Sequence, residues 1–283
     1  MTQLRGKPVT DAMAERLRAQ ADALRARGVI PTLAIVRVGE KPDDLSYQRG
    51  AVKRCESLGV DARVFAYPAD IRQDAFLAAL DTVAADPDVH GILLLRPLPR
   101  QLDEAQVLRH MPPEKDMDCL LTLNLGRVFC DDPTAAAPCT AQAVMELLHH
   151  YQIPLEGKRV TVVGRSLVVG KPLAMLLLRE NATVTLCHSR TKDLPAACRQ
   201  ADIVVAAIGR AKMLDAAYFS PGQTVIDVGI NVDADGNLCG DVDMAAAEPV
   251  VAQLTPVPGG VGGVTTSVLA QNVLRAAARA ANG

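Results

Sequence analysis

Between Gly164 and Pro172 the chain reads Gly-Arg-Ser-Leu-Val-Val-Gly-Lys-Pro, a spacing that suits an anion-binding turn between a strand and a helix. Gly164 permits a sharp turn out of the strand. Ser166 stands where the usual dinucleotide fingerprint has its second glycine, and Gly170, after Val169, lets the helix approach closely. Pro172 fits the first helical turn, where its missing N–H costs nothing. Backbone N–H groups at such a turn, together with the helix dipole, hold a pyrophosphate. A structural turn without a ligand shows the same glycines, and it is the surrounding strand–helix–strand pattern that points to a dinucleotide.

The next strand end narrows the cofactor. An NAD enzyme expects an Asp or Glu there for the ribose hydroxyls, but this chain reads Cys187-His188-Ser189-Arg190-Thr191, with no acid before Asp193. An acid would repel a ribose phosphate, whereas Arg165, Ser189 and Arg190 donate to one. The segment therefore favours NADP over NAD. The alternative is that these are solvated loop residues.

The elements that must position these groups follow from hydrophobic patterning. Pro31 to Val38, Ala62 to Tyr67 and Gly91 to Leu95 read as strands in the first half. Helices are expected from Thr10-Asp11 to Gly28, from Asp43 or Asp44 to about Leu58, and from Asp74 to Ala84. After Pro138-Cys139-Thr140 a helix passes through Met145 and Leu148. Strands follow at Lys158 to Val163, Ala182 to Cys187, Ile203 to Ile208 and Thr224 to Val228. Continuous apolar strands between amphipathic helices predict an α/β fold of two domains with parallel sheets, the second of Rossmann type. Residues 1–137 would form the first domain, completed by a C-terminal helix in 264–283 that packs back on it. Residues 138–263 would form the cofactor domain.

Composition agrees with such a fold. Of 283 residues 49% are hydrophobic and 22% charged, the net charge is −2, and aromatic residues make up 3%, with no Trp. Near-neutral charge and scarce rings argue against a nucleic-acid binder. No apolar run approaches the roughly 18 residues of a membrane span, and the first thirty residues are unlike a signal peptide. A cytoplasmic protein is expected. The seven cysteines are scattered and lack a Cys-x-x-Cys pair, so they read as mostly buried small residues, and no metal site is implied.

The segments GRSLVVGKP, ATVTLCHSRTKDL, VIDVGIN, GDVD and TPVPGGVGGVTT occur in order, with PEKDMD and the pattern around Tyr47 upstream. In these the chain resembles the methylenetetrahydrofolate dehydrogenase/methenyltetrahydrofolate cyclohydrolase (FolD) family over nearly its whole length. The resemblance implies a cytoplasmic homodimer paired through its cofactor domains, with a folate bound in the cleft between domains. It also implies two steps: NADP-linked oxidation of 5,10-methylenetetrahydrofolate to the methenyl cation, then hydrolysis to 10-formyltetrahydrofolate.

Carried over by position, Tyr47 matches the tyrosine that lies against the pterin, and Asp118 the aspartate that binds the pterin edge. Pro258, Gly259 and Gly260 belong to the substrate loop, intact from Pro256 to Gly262, and Ile230 of VIDVGIN falls on the cofactor side with Gly164, Arg165, Ser166, Val169, Gly170, Ser189 and Arg190. Departures are concentrated at the chemistry. The family's catalytic lysine, four residues past the tyrosine, is Ala51, and its active-site glutamine is Leu95, in Leu95-Arg96-Pro97-Leu98-Pro99. The glycine after the aspartate is Cys119, and a proline is Gly263.

At 100° per residue Lys53 lies about 240° around the helix from Tyr47 and points away, whereas Arg54 lies about 20° off that face but roughly 10 Å along it. Arg96 should face opposite to Leu95. Hydride transfer needs alignment, whereas hydrolysis needs a positioned acid or base worth about 10²–10⁴-fold. The expected outcome is an NADP-dependent dehydrogenase whose cyclohydrolase step is weak or absent. The alternatives are a full bifunctional enzyme in which Arg54 or Arg96 compensates, and a folate- or nucleotide-binding protein without catalysis.

Overall fold

A computed structural model describes residues 1–282; Gly283, the end of the expected C-terminal segment, lies outside the described residues. The chain divides into two compact units, one of residues 1–11 with 127–265 and one of residues 12–126 with 266–282.

The unit containing 127–265 is built on a six-stranded parallel sheet. Its order is Thr2–Gln3, Gln253–Leu254, Thr224–Asp227, Ile203–Ala206, Arg159–Val163, Thr183–Cys187. Central strands such as Ile203–Ala206 are wholly buried because both faces are covered, which is why their sequences run apolar without alternation. Val163, Val204, Val225 and Leu254 share one core cluster with Phe219 and Val251. The chain leaves Arg159–Val163 toward Thr183–Cys187 on one side and returns to Ile203–Ala206 on the other. The turns after Val163 and Ala206 thus flank a topological switch point, where doubly wound sheets open a crevice.

The other unit has three parallel strands in the order Asp61–Tyr67, Thr32–Val38, Gly91–Leu94. Ala34, Val36, Val38, Ile92 and Leu94 point to one face, where they pack on Phe76, Leu80 and Val83 of the helix Gln73–Ala85. By alternation, Ile35, Arg37, Leu93 and Leu95 belong to the opposite face. The C-terminal helix Thr265–Ala280 packs back on this unit. Ser267 accepts from Arg54 Nε at 2.8 Å, Gln271 accepts from Arg16 at 2.8 Å, and Asn272 donates to the Met117 carbonyl at 3.1 Å.

One local reading changes. The first helix starts at Gly6 rather than at Thr10-Asp11. Those two residues lie inside its first turns, with the Thr10 hydroxyl donating to the Lys7 carbonyl and Asp11 paired with Lys7 at 2.6 Å. Residues 1–11 group by contact with the large sheet, where Thr2–Gln3 adds to its edge beside Gln253–Leu254, and residues 127–137 group with it as well. Among the described residues no helix is long and apolar enough to cross a membrane.

Candidate functional site

The glycine turn is built without clearance. A Cβ on Gly164, at φ +133°, would lie 2.1 Å from the Ala207 carbonyl oxygen, and one on Gly170 would lie 1.9 Å from the Gly164 carbonyl oxygen. Ser166 stabilises the turn by accepting the Val169 N–H at 3.1 Å, and Lys171 N–H closes on the Ser166 carbonyl at 3.0 Å. Pro172 is buried in the first turn of the helix Gly170–Arg179. Side chains are thereby excluded from the place where a dinucleotide's phosphates approach backbone, so the residues present fit that group.

A groove opens there, lined among others by Arg165, Ser166, His188, Ser189, Thr191 and Arg210, and no carboxylate lines it. His188 Nδ1 accepts the Arg190 N–H at 3.1 Å, and the His188 N–H donates to the Thr191 hydroxyl at 2.9 Å. These contacts set the loop that presents Ser189. Arg165 and Ser189 therefore come together as expected, whereas Arg190 is exposed and is not among the lining residues. Arg210 takes its place as a second cation. Sequence reading missed it, because only the sheet order brings residue 210 to residue 165.

VIDVGIN and GDVD form an interlock behind this groove. Asp227 accepts the N–H groups of Gly229 and Asp241 at 3.0 Å and of Val242 at 2.9 Å. Asp241, fully buried, accepts from Ile208 at 2.6 Å, Gly209 at 3.1 Å and Arg210 at 2.8 Å, and from the Asn231 amide at 2.9 Å. A Cβ on Gly229 would meet the Asp241 carboxylate at 2.4 Å, and one on Gly240 the Asp227 carboxylate at 1.8 Å. Burial pushes Asp227 up to about 6, against the opposing effect of the three N–H donors. Ile230 and the Pro256–Gly263 loop line a second recess beside these glycines, so Pro258, Gly259, Gly260 and Ile230 do come together.

In the other unit, Tyr47 and Ala51 stand one turn apart on the helix Pro42–Ser57; Ala51 is fully buried. Leu95 is buried just beyond the strand Gly91–Leu94, its N–H donating to Val36. The two cations proposed to stand in for the lysine are both engaged elsewhere. Arg54 holds Ser267 of the C-terminal helix, and Arg96 pairs with Glu104 at 2.5 Å. Asp116, the first aspartate of PEKDMD, is buried and accepts from Leu120, Leu121 and Asn124, fixing the turn that carries half-buried Asp118. Cys119 sits at φ +54°, the left-handed region that favours glycine. Burial and the neighbouring aspartates push its thiol up to about 12.

A parallel sheet with a glycine turn and a groove at its switch point defines a Rossmann-type dinucleotide-binding protein. Residues 138–281 match the NAD(P)-binding domain of tetrahydrofolate dehydrogenase/cyclohydrolase, and residues 4–118 match its catalytic domain. A "Bifunctional protein FolD" of Carboxydothermus hydrogenoformans is 58% identical over 275 residues, 96% of each chain. One of Clostridioides difficile is 50% identical over 96% of this chain and 95% of its own. The crystal structure of the bifunctional FolD dehydrogenase/cyclohydrolase from Campylobacter jejuni superposes with a TM-score of 0.95, at 36% identity over 99% of both chains. That of the Trypanosoma brucei dehydrogenase-cyclohydrolase, complexed with NADP and an inhibitor, superposes with a TM-score of 0.93, at 35% identity over 100% of this chain and 99% of that one. The chain belongs to the tetrahydrofolate dehydrogenase/cyclohydrolase family. Its fold and its nicotinamide-dinucleotide domain are those expected from the sequence.

Proposed function

We propose that this protein oxidises 5,10-methylenetetrahydrofolate with NADP and also hydrolyses the methenyl product to 10-formyltetrahydrofolate. The hydrolytic half corrects the balance of the sequence reading. Relatives at 45–58% identity over at least 96% of this chain carry the name bifunctional, which favours the two-step alternative over a weak or absent second step. Support for NADP comes from the acid-free groove with Arg165 and Arg210, and from the NADP held by the T. brucei relative. When bound, the cofactor supplies the hydride acceptor. The turn 164–170 would receive its phosphates; Arg165, Ser189 and Arg210 would receive the ribose phosphate; Ile230 would border the nicotinamide end.

Tyr47 is assigned to the pterin face, Asp118 to the pterin edge, and Pro258, Gly259 and Gly260 to the substrate loop. The folate work is assigned to residues 1–137 with 264–283, and cofactor binding to 138–263. The second reading, a dehydrogenase with little cyclohydrolase activity, keeps one specific support. The positions matched to the family's lysine and glutamine are a buried alanine and a buried leucine, neither able to move a proton.

Both steps assayed on one preparation, with NADP and NAD compared, test the proposal. Methenyltetrahydrofolate should disappear well above its uncatalysed rate, and NADP should be preferred. Hydrolysis at the uncatalysed rate would establish the second reading instead, and then Ala51→Lys with Leu95→Gln should raise it at least tenfold. Ligand binding without any NADP reduction would defeat both.

A further inference from the structure

We propose that Arg37 is the cation of the folate site, donating through Nη2 to the oxygen that water brings to the methenyl carbon; this rests on the function proposed above. The strand PTLAIVRV carries one charged residue in an apolar run, and the structure buries it, with 10% of its side chain exposed. A guanidinium is costly to desolvate unless its donors are used. Two of the three nitrogens are used. Nε donates to the Gln48 side chain at 2.9 Å, and Nη1 donates to the Gly39 carbonyl and lies 3.8 Å from the exposed Glu40. Nη2 has no hydrogen-bond partner among the described residues, and it is not a sealed orphan either, since the Gln73 amide is the one buried unsatisfied side-chain atom. Nη2 therefore keeps both of its donors unused and retains access to solvent.

The location gives this nitrogen its meaning. Ile35 pairs with Leu93 and Val36 with Leu94, so the next step of the register sets Arg37 beside Leu95 on one sheet face. Neighbouring strands lie about 4.8 Å apart. Gln48, which anchors Nε, precedes Ala51 by three residues on the same helix face. Arg37 thus stands between the two positions, Ala51 and Leu95, at which this chain departs from the family's pattern. Arg54 and Arg96, the cations considered from the sequence, are each held by another residue.

A guanidinium stays charged and does not cycle a proton near neutral pH, so its contribution is electrostatic. Water oxygen bonds to the methenyl carbon, the C=N electron pair returns to nitrogen, and one water proton leaves to solvent. The carbinolamine then loses its hydroxyl proton as the carbonyl forms. The C–N bond to the ring nitrogen breaks, and that nitrogen takes up a proton. In the second stage, as the hydroxyl proton leaves ahead of C–N cleavage, negative charge grows on the oxygen, and a fixed N–H donor there stabilises it without reorganisation.

The test compares the ratio of methenyltetrahydrofolate hydrolysis to methylenetetrahydrofolate-dependent NADP reduction, with the uncatalysed hydrolysis subtracted. In Arg37→Gln the ratio should fall about 10²-fold, the scale of losing one oxyanion donor, through kcat rather than KM. An unchanged ratio, or wild-type hydrolysis no faster than in buffer, overturns the proposal. Should Arg37→Gln not fold, Gln48→Leu decides, because it keeps the charge and releases Nε: the ratio should fall at least threefold, and no change overturns the proposal. A wild-type protein that reduces no NADP sinks the underlying function instead, a separate result from an unaltered ratio.

Discussion

At Gly170 an added methyl group would lie 1.9 Å from a backbone carbonyl oxygen, whereas at Gly126, in the helix Thr122–Phe129, it would meet nothing within 4 Å. The same substitution should therefore act in opposite directions. Gly126→Ala should stabilise the protein by about 0.5–1 kcal/mol through lost unfolded-state freedom. Gly170→Ala must displace the helix from the turn, costing about 1–3 kcal/mol as overpacking does and raising the KM for NADP. Thermal unfolding and cofactor titration of the two variants check this, and equal behaviour would refute it. Both glycines stand in the sequence, but only the neighbouring carbonyl distinguishes them. Arg37 carries a similar lesson. Its strand was legible as an apolar run, but its burial beside Leu95 and its anchoring by Gln48 depend on register and helix docking, which no window of sequence contains.

Among the elements, the long apolar strands were read to within a residue or two, since burial on both faces leaves an unbroken signature. The two-residue strands Thr2–Gln3 and Gln253–Leu254 were not, because their pairing joins residues some 250 positions apart and has no local period. The carboxylate interlock also lies beyond pattern reading. VIDVGIN and GDVD were recognised as family segments, yet their aspartates mostly serve backbone N–H groups rather than a ligand.

That role has a pH signature. The folded-state value of Asp227, about 6, exceeds its ordinary value of 3.8, so between those limits the native state holds more protons than the unfolded chain. Through this group stability should fall as pH rises from about 4 to 6 and stay level above. Asp227→Asn should flatten that slope. It should also lower stability at neutral pH by about 1–3 kcal/mol, because its amide nitrogen meets the Val242 N–H. Denaturant midpoints measured across pH decide; a slope that survives the substitution would place the titration elsewhere.

For the whole molecule, the family resemblance implies pairing through the cofactor units, and one exposed sheet edge is available there. Thr183–Cys187 is the last strand of its sheet and alternates exposed with half-buried residues before ending at buried Cys187, and a strand edge without a partner is a template for another chain. A dimer should sediment at twice 30.0 kDa, and a charged substitution at exposed Thr185 should shift it to the monomer. A monomeric native protein would overturn the pairing that the resemblance implies.

The two units draw on the chain in an exchanged manner: the first eleven residues serve the large sheet, while residues 266–282 serve the three-stranded unit. During synthesis, then, the large-sheet unit has all its residues once 265 is made, whereas the three-stranded unit is incomplete when residue 126 has been made. The three-stranded unit must wait, with the seat of Ser267, Gln271 and Asn272 open, until every strand of its neighbour has been translated. The last helix acts as the closing stitch of the half made from residues 12–126.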